Sequence, residues 1–548
     1  MNGAQLVVSM LKKRGVDAVS VLCGNGLDPF LDACLDYGME VIDVRNEQAA
    51  AYMADTWGRM TRRLGVVAVS SGPGHTNAVT GVANAFWDGG PMLLISGCSE
   101  LGTRGLDNFQ ELDQIGIVAP ITKYANLVGR VDLLQHEVDT AITMATNGRP
   151  GPVHLTIPAN VLLAEVDEKA LISEHEAIAE VRPQGSGDVE LVQRAADLLA
   201  SAGRPFVVAG SGLFYADGWQ TLRNLASTTD IPIVSHIWDR GCIEQAIPQY
   251  VGVTNDELNG AMVELSRSDV VVFAGARVDY RVGSGRPPAI APDARIIRLD
   301  AEPSEINRAR VPDVGIVGNP STVLGQISAE LGDVSLSSWL ETVRASCDCL
   351  IDQWALADGE MWPLPGFKIC REIKPFLERD VTFLLDGGNI GRWAHMLLFD
   401  RHPAHWFTCG ASGVVGWGLP GAVAAKRARP DHPLLLLSGD GAAGFTIAEI
   451  ETALRFGTPY VAVIAHDGAW GIVSDGQPEG RCVASHFGEI RFDRVAQALG
   501  AEGVYIEDPA QLGPSIERGL ESDTVFVIHV PTQLAGVSHW EGRFGKCA

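Results

Sequence analysis

No apolar run in this 548-residue chain is long enough to cross a bilayer. Stretches such as Val270–Phe273 and Pro433–Leu437 stop far short of the ~20 residues a spanning helix needs. Positive charge is also scarce. Lys plus Arg number 42 against 67 Asp plus Glu, a net charge of -25 that repels phosphate backbones and argues against nucleic-acid binding. The ten cysteines show no zinc-site spacing, and Cys347 and Cys349 are too close for a C-x-x-C clip. They are expected to be reduced thiols filling cores, in a cytoplasmic protein with no membrane partner. At the start, Leu6, Val7, Met10 and Leu11 recur at helical spacing before Lys12, Lys13 and Arg14, which reads as a helix and not a signal peptide. No short repeat and no low-complexity stretch appears.

What is present is ample core material, with 46% apolar residues, enough for three or four domains at about 150 residues each. Short β-rich runs alternate with helical stretches, the pattern of parallel α/β sheets. In the first third, Ala18–Leu22, Val41–Asp43, Gly65–Ser70, Pro91–Ser96 and Pro152–Ile157 read as strands, and Glu47–Arg62 as a helix. A polar stretch from Glu165 to Asp188 reads as a linker. The second block offers the strands Pro205–Ala209, Pro232–Ser235, Val270–Ala274 and Ala294–Asp300, followed by a helical connector from Leu331 to Trp362. The third offers Val381–Leu385, Pro433–Ser438, Tyr460–Ala465 and Thr524–His529. The expected partition is three doubly wound parallel-sheet domains, 1–165, 188–332 and 363–533, with a tail at 534–548.

The chemistry-bearing motifs sit where strands end. After Leu434–Ser438 comes Gly439-Asp440-Gly441, and after Tyr460–Ala465 comes His466-Asp467-Gly468-Ala469-Trp470-Gly471. Adjacent parallel strands would present both aspartates at one carboxyl edge, where such sheets bind ligands. Asp440, Asp467 and a carbonyl near Ala469 could hold Mg²⁺, whose octahedral oxygen shell is commonly shared with phosphates. The other reading of G-D-G is a plain strand-to-helix turn. In the first block, Val44-Arg45-Asn46-Glu47 opens a helix, where a carboxylate also suits the macrodipole. Two more glycine-rich turns are Ser70-Ser71-Gly72-Pro73-Gly74-His75-Thr76-Asn77 and Cys409-Gly410-Ala411-Ser412-Gly413-Val414-Val415-Gly416-Trp417-Gly418.

In their order and spacing these motifs resemble the thiamine diphosphate enzymes of the acetolactate-synthase-like group, over essentially the whole chain. The resemblance implies a pyrimidine-binding, a central and a diphosphate-binding domain. Glu47, in R-N-E-Q-A-A-A-Y-M-A-D, matches the glutamate that addresses the cofactor's aminopyrimidine. Gly439 through Asp467 matches the metal–diphosphate motif, with His466-Asp467 where the family usually has Asn-Asn; His466 is then a packing or supporting residue. Val415, within Gly413–Gly416, matches the wedge that bends the cofactor, a position where Met, Leu or Ile is commoner. Gln110, in Asn108-Phe109-Gln110-Glu111-Leu112-Asp113-Gln114, matches an active-site glutamine. The cofactor-binding set expected on this basis is Gly72, Pro73, Asn77, Gly387, Asn389, Gly413, Val415, Gly439, Asp440, Gly441, Ala442, Ala469, Trp470 and Gly471. The metal set is Asp440, Asp467 and Ala469. Gly275-Ala276-Arg277-Val278-Asp279-Tyr280-Arg281 resembles a turn that holds FAD or ADP in some members; Gly210-Ser211-Gly212 adds only a weak dinucleotide signal.

On this resemblance Glu47 would hydrogen-bond the pyrimidine N1′ and favour its imino form. Val415 would hold the bend, and the Gly413 carbonyl would orient the 4′-amino group. Gln110 could contact a substrate carboxylate or hydroxyl. His75 could relay protons near pH 7 or simply pack. Asn25 could face the pocket or serve as a left-handed turn residue, and Glu489 could line the entrance or lie on the surface.

Two substrate classes compete: a 2-keto acid, decarboxylated and joined to a second carbonyl, or a 2-hydroxyacyl-CoA or 2-hydroxyketone cleaved as by 2-hydroxyacyl-CoA lyase or benzaldehyde lyase. The tail Trp540-Glu541-Gly542-Arg543-Phe544-Gly545-Lys546 could fold over an acyl-CoA or be a frayed end. A catalytically silent regulatory relative would be expected to lose Glu47, Asp440 or Asp467, and all three are present. A nicotinamide dehydrogenase lacks its full G-x-G-x-x-G. The resemblance also implies a homodimer or homotetramer, with the cofactor between the first domain of one copy and the third of another.

Overall fold

The computed structural model describes residues 1–167, 169, 171, 185–355, 361–399, 405–478 and 481–534. Much of the expected linker, and the tail motif Trp540–Lys546, lie outside the described residues.

Among the described residues, eighteen strands form three six-stranded sheets, parallel throughout. The first holds β1 (Ala18–Leu22), β2 (Glu40–Asp43), β3 (Gly65–Val69), β4 (Met92–Cys98), β5 (Tyr124–Leu127) and β6 (Pro152–Pro158), in the order β2-β1-β3-β4-β6-β5. The second holds β7 (Pro205–Ala209), β8 (Ile233–His236), β9 (Tyr250–Thr254), β10 (Val270–Ala274), β11 (Arg295–Asp300) and β12 (Val314–Val317), ordered β12-β11-β10-β7-β8-β9. The third holds β13 (Thr382–Asp386), β14 (His405–Thr408), β15 (Leu434–Gly439), β16 (Val461–His466), β17 (Glu502–Tyr505) and β18 (Phe526–Pro531), ordered β14-β13-β15-β16-β18-β17. The central strands are apolar on both faces because helices cover both. In β15, Leu434, Leu435, Leu436 and Leu437 are all buried.

The chain divides into two compact units. One contains the first sheet together with residues 419–430 and 446–458 of the third block; the other contains the second and third sheets. The first core is built on residues such as Val19, Leu93, Ile95 and Leu155, and a core of the second unit on Phe383, Leu385, Leu437 and Val463. In the first and third sheets the strand order reverses beside the earliest strand, between β1 and β3 and between β13 and β15. A crevice opens at such a switch point, above the carboxyl ends of the strands.

No helix among the described residues is long and apolar enough to cross a membrane. The cysteine expectation needs correction. Cys349 is in a disulfide, and Cys23 and Cys482 are exposed, because each of the two lies in a loop next to a strand or helix and not on a core face.

Candidate active site

In the second unit, a cavity of about 300 Å³ opens at the β13/β15 switch point. Of the expected residues, Gly387, Asn389, Gly413, Val415, Gly439, Asp440, Gly441, Ala442, Asp467, Ala469, Trp470 and Gly471 all line it. Each arrives from a strand end. Gly387 follows β13, Gly439 ends β15 and Asp440 starts the helix Asp440–Phe445, while Asp467 follows β16. Gly387 has φ 127°, and a Cβ there would stand 2.6 Å from the Gly439 nitrogen, so only glycine lets the two strand ends close on each other.

The two aspartates are held by backbone amides. Asp440 Oδ1 accepts from Gly441 N–H at 2.8 Å and Oδ2 from Gly468 N–H at 2.8 Å. Asp467 Oδ1 accepts from Ala469 N–H at 3.1 Å. Burial first, then the charge of Asp440, pushes the Asp467 carboxyl up to about 7. His466 brings Nδ1 to 3.0 Å from Asp440 Oδ2 and packs its ring 4.8 Å from that of His529. Two neighbouring carboxylates facing one cavity, Asp440 buried and Asp467 half-buried, are an arrangement that a bound cation stabilises. The amide of Asn389 lines the same cavity, and from there its side chain reaches the Asp467 carboxylate and holds its pKa down against the burial. Among the described residues no group of three or more His, Cys, Asp or Glu is placed to hold a metal. Two carboxylates match Mg²⁺, which takes one or two from protein and the rest from phosphate and water.

The first unit carries the other set, at the β1/β3 switch point. Glu47, 7% exposed, opens the helix Glu47–Thr61, and its Oε2 accepts from Asn77 Nδ2 at 2.9 Å. Gly72 and Pro73 start the helix that carries Asn77. Asn25 Nδ2 donates to Ser71 Oγ at 2.9 Å, and Ser71 Oγ donates to Gln110 Oε1 at 3.3 Å, so Asn25, Ser71 and Gln110 form one chain. Left-handed backbone belongs to Gly24 and Gly26, not to Asn25. Glu489 is exposed.

His75 is fully buried, with Nδ1 2.9 Å from Ser96 Oγ and its ring 4.9 Å from that of His154. Burial lowers His75 to about 4 and His154 to about 3, so His75 is neutral near pH 7, the geometry of the packing alternative. Both folded values lie below the unfolded value near 6.5. The stability they contribute is therefore complete above that pH and falls as pH drops toward 4, by about 1.4 kcal/mol per pH unit for each histidine. Amide exchange of β4 and β6 should report this loss between pH 6.5 and 4.5. The variant His154→Leu should show a shallower slope whatever its stability; an unchanged slope would exclude His154 as a source of it.

Several contributors carried no sequence signal. Trp238, from the second sheet's block, lines the cavity with a left-handed backbone at φ 63°, its carbonyl accepting from Thr408 Oγ1 at 2.7 Å. In the first unit, buried Glu449 accepts from the Arg45 N–H at 3.1 Å, Glu451 pairs with the Arg45 side chain at 2.6 Å, and Arg455 Nη2 donates to the Asp43 carbonyl at 2.8 Å. One short helix, Glu449–Arg455, thus clamps the loop that presents Glu47. Such long-range pairings leave no local pattern. Asp386 is different: an acid at a strand's carboxyl end, immediately before Gly387, it has the same local signature as Asp440. In the central block, Arg281 pairs with Asp279 at 2.8 Å and donates to the Ile237 carbonyl at 3.2 Å, while Gly210–Gly212 packs against Gly275.

Comparison with known proteins adds three family matches along the chain. The N-terminal TPP binding domain of thiamine pyrophosphate enzymes matches residues 1–117, the central domain 192–327 and the C-terminal TPP binding domain 386–530. An acetolactate synthase of Mycobacterium bovis is 30% identical over 528 residues, covering 92% of this chain and 84% of that protein. The acetolactate synthase isozyme 3 large subunit of Escherichia coli is 29% identical, covering 95% and 92%. A probable acetolactate synthase large subunit of Methanococcus aeolicus is 28% identical, covering 96% and 91%.

Proposed function

The chain belongs to the thiamine pyrophosphate-dependent enzymes of the acetolactate synthase type, and we propose that it is a Mg²⁺-dependent lyase and carboligase acting on a 2-keto acid. Formation or cleavage of a carbon–carbon bond follows from the family. The metal, the substrate class and the site assignments are the proposal. The observation that carries it is the cavity itself, where Asp440, Asp467 and the Asn389 amide meet at one switch point.

When bound, thiamine diphosphate supplies a nucleophilic carbon and an electron sink. The protein supplies the rest. Asp440, Asp467 and the Ala469 carbonyl would hold Mg²⁺ against the diphosphate, and Gly387 and Gly439 keep the backbone low enough for it. Val415 would impose the bend and Glu47, supported by Asn77, would share a proton with the pyrimidine N1′. Gln110 is proposed to meet the substrate's polar end. With Glu47 and the cavity supplied by different copies, as in the family, the working form is at least a homodimer. The domain division 1–165, 188–332 and 363–533 belongs to the same proposal, and an FAD or ADP would be held by the central domain.

The test is addition of thiamine diphosphate and Mg²⁺ to metal-stripped protein, followed by product mass analysis with pyruvate, benzoylformate, benzoin and 2-hydroxyacyl-CoA esters. Loss of CO₂ from pyruvate with formation of acetolactate is expected. Aldehyde plus formyl-CoA from a 2-hydroxyacyl-CoA, with pyruvate untouched, would replace the 2-keto acid assignment.

A further inference from the structure

Asp386 ends β13, is 1% exposed, and among the described residues its hydrogen-bond partners are backbone amides. The Gly418 N–H donates to Oδ2 at 2.6 Å, and the backbone N–H groups of Gly416 and Trp417 also reach the carboxylate. Oδ1 is buried without a partner. We propose that Asp386 is a positioning residue: by gathering the amides of Gly416, Trp417 and Gly418, its carboxylate fixes the turn that stands Val415 in the cavity. The cofactor side of this inference rests on reading that cavity as the thiamine diphosphate site.

The turn needs such a tether. Val414 and Val415 line the cavity between two left-handed glycines, Gly413 at φ 72° and Gly416 at φ 80°. Glycine on both sides makes the backbone permissive, so the pair has little intrinsic reason to keep one position. Residues 416–418, by contrast, are buried. Their amides would each be costly to leave unmade, and the strand end beneath them supplies the acceptor. A carboxylate is an expensive choice if stability were its only service. Burial pushes Asp386 up to about 7 despite three amides holding it down, and a buried charge is seldom a net gain over an apolar residue. Its placement explains the expense. β13 lies between β14, which leads into the turn, and β15, which is followed directly by Asp440. One strand therefore references the wedge to the proposed metal ligand.

The experiment compares Asp386→Asn and Asp386→Ala with the wild type in two measurements. In the protein without cofactor, amide exchange across residues 410–418 should rise at least about tenfold, the ratio implied by losing one hydrogen bond to a charged group. With thiamine diphosphate and Mg²⁺ bound, exchange of the thiazolium C2 proton should slow at least tenfold, as it should in Val415→Ala, while cofactor affinity changes much less. Should Asp386→Ala not fold, Asp386→Asn carries the test, because it keeps the volume but sets an N–H₂ against amide donors. Unchanged amide exchange overturns the tether. Faster amide exchange with wild-type C2 exchange overturns the link to the wedge. A wild-type protein that binds no thiamine diphosphate overturns the reading of the cavity and the cofactor half of this inference, leaving the amide result to judge the tether alone.

Discussion

Glu47→Gln lowers turnover with saturating cofactor by at least about 10²-fold, the lower range for a positioned acid–base group, while the melting temperature stays close to that of the wild type. Both halves follow from the surroundings. The carboxylate is nearly buried, and its Oε2 is held by Asn77 Nδ2. Glutamine has the same size, and its amide oxygen can still accept from Asn77, so the fold loses little. What it loses is proton exchange with the pyrimidine N1′, because the amide nitrogen left for that contact can donate a hydrogen bond to the ring nitrogen but cannot pass its proton across. Steady-state turnover together with thermal unfolding checks the pair of outcomes. Wild-type turnover in a folded Glu47→Gln protein would remove Glu47 from the chemistry. A drop in melting temperature of the same order as that of a core deletion would instead make the residue structural.

The same contrast, between what a local pattern encodes and what only packing assembles, runs through the whole molecule. The interior strands were legible because strands buried on both faces are written as unbroken apolar runs, Leu434–Leu437 and Val270–Phe273 among them. The strands that sequence reasoning passes over are β5, β9, β12, β14 and β17, and every one lies at a sheet edge. An edge strand has one neighbour, so β5, β12 and β17 carry fewer buried residues and read like loop. By contrast β9, buried at all five residues, and β14, buried at three of four, are passed over for their short or polar-interrupted runs. In β5 all of Tyr124, Ala125, Asn126 and Leu127 are only half-buried, and in β17 none of Glu502–Tyr505 is buried. Candidate site residues were legible for a related reason. In a parallel sheet, function collects at strand ends, so Glu47, Asp440 and Asp467 announce themselves as acids just after β-rich runs. Trp238 and Glu449 do not, because each reaches its place through the tertiary fold and follows no motif. The left-handed backbone of Trp238 has no sequence signature, and the Glu449 contact spans some four hundred residues.

The two aspartates of the cavity should respond unequally to the same chemical change. Asp440 has both oxygens committed to backbone amides, of Gly441 and of Gly468, so a neutral amide in its place can satisfy only one and turns a donor toward the other. Asp440→Asn therefore disturbs the loop that carries Asp467 as well as removing a charge. Asp467 has one oxygen on the Ala469 amide, and its carboxyl is already pushed toward neutrality by burial and by Asp440. Asp467→Asn keeps the accepting oxygen, keeps a ligand oxygen for the metal, and relieves the repulsion. Calorimetric titration with thiamine diphosphate at fixed Mg²⁺ should show Asp440→Ala weakened by more than about 10²-fold, beyond the 10–100-fold typical of losing a group that only supports a ligand. Asp440→Asn should be nearly as weak, and Asp467→Asn should lie close to the wild type. Equal losses at the two positions would mean that net charge alone recruits the cation. Wild-type affinity in Asp440→Ala would place the metal elsewhere and leave Gly439-Asp440-Gly441 as no more than a tight turn.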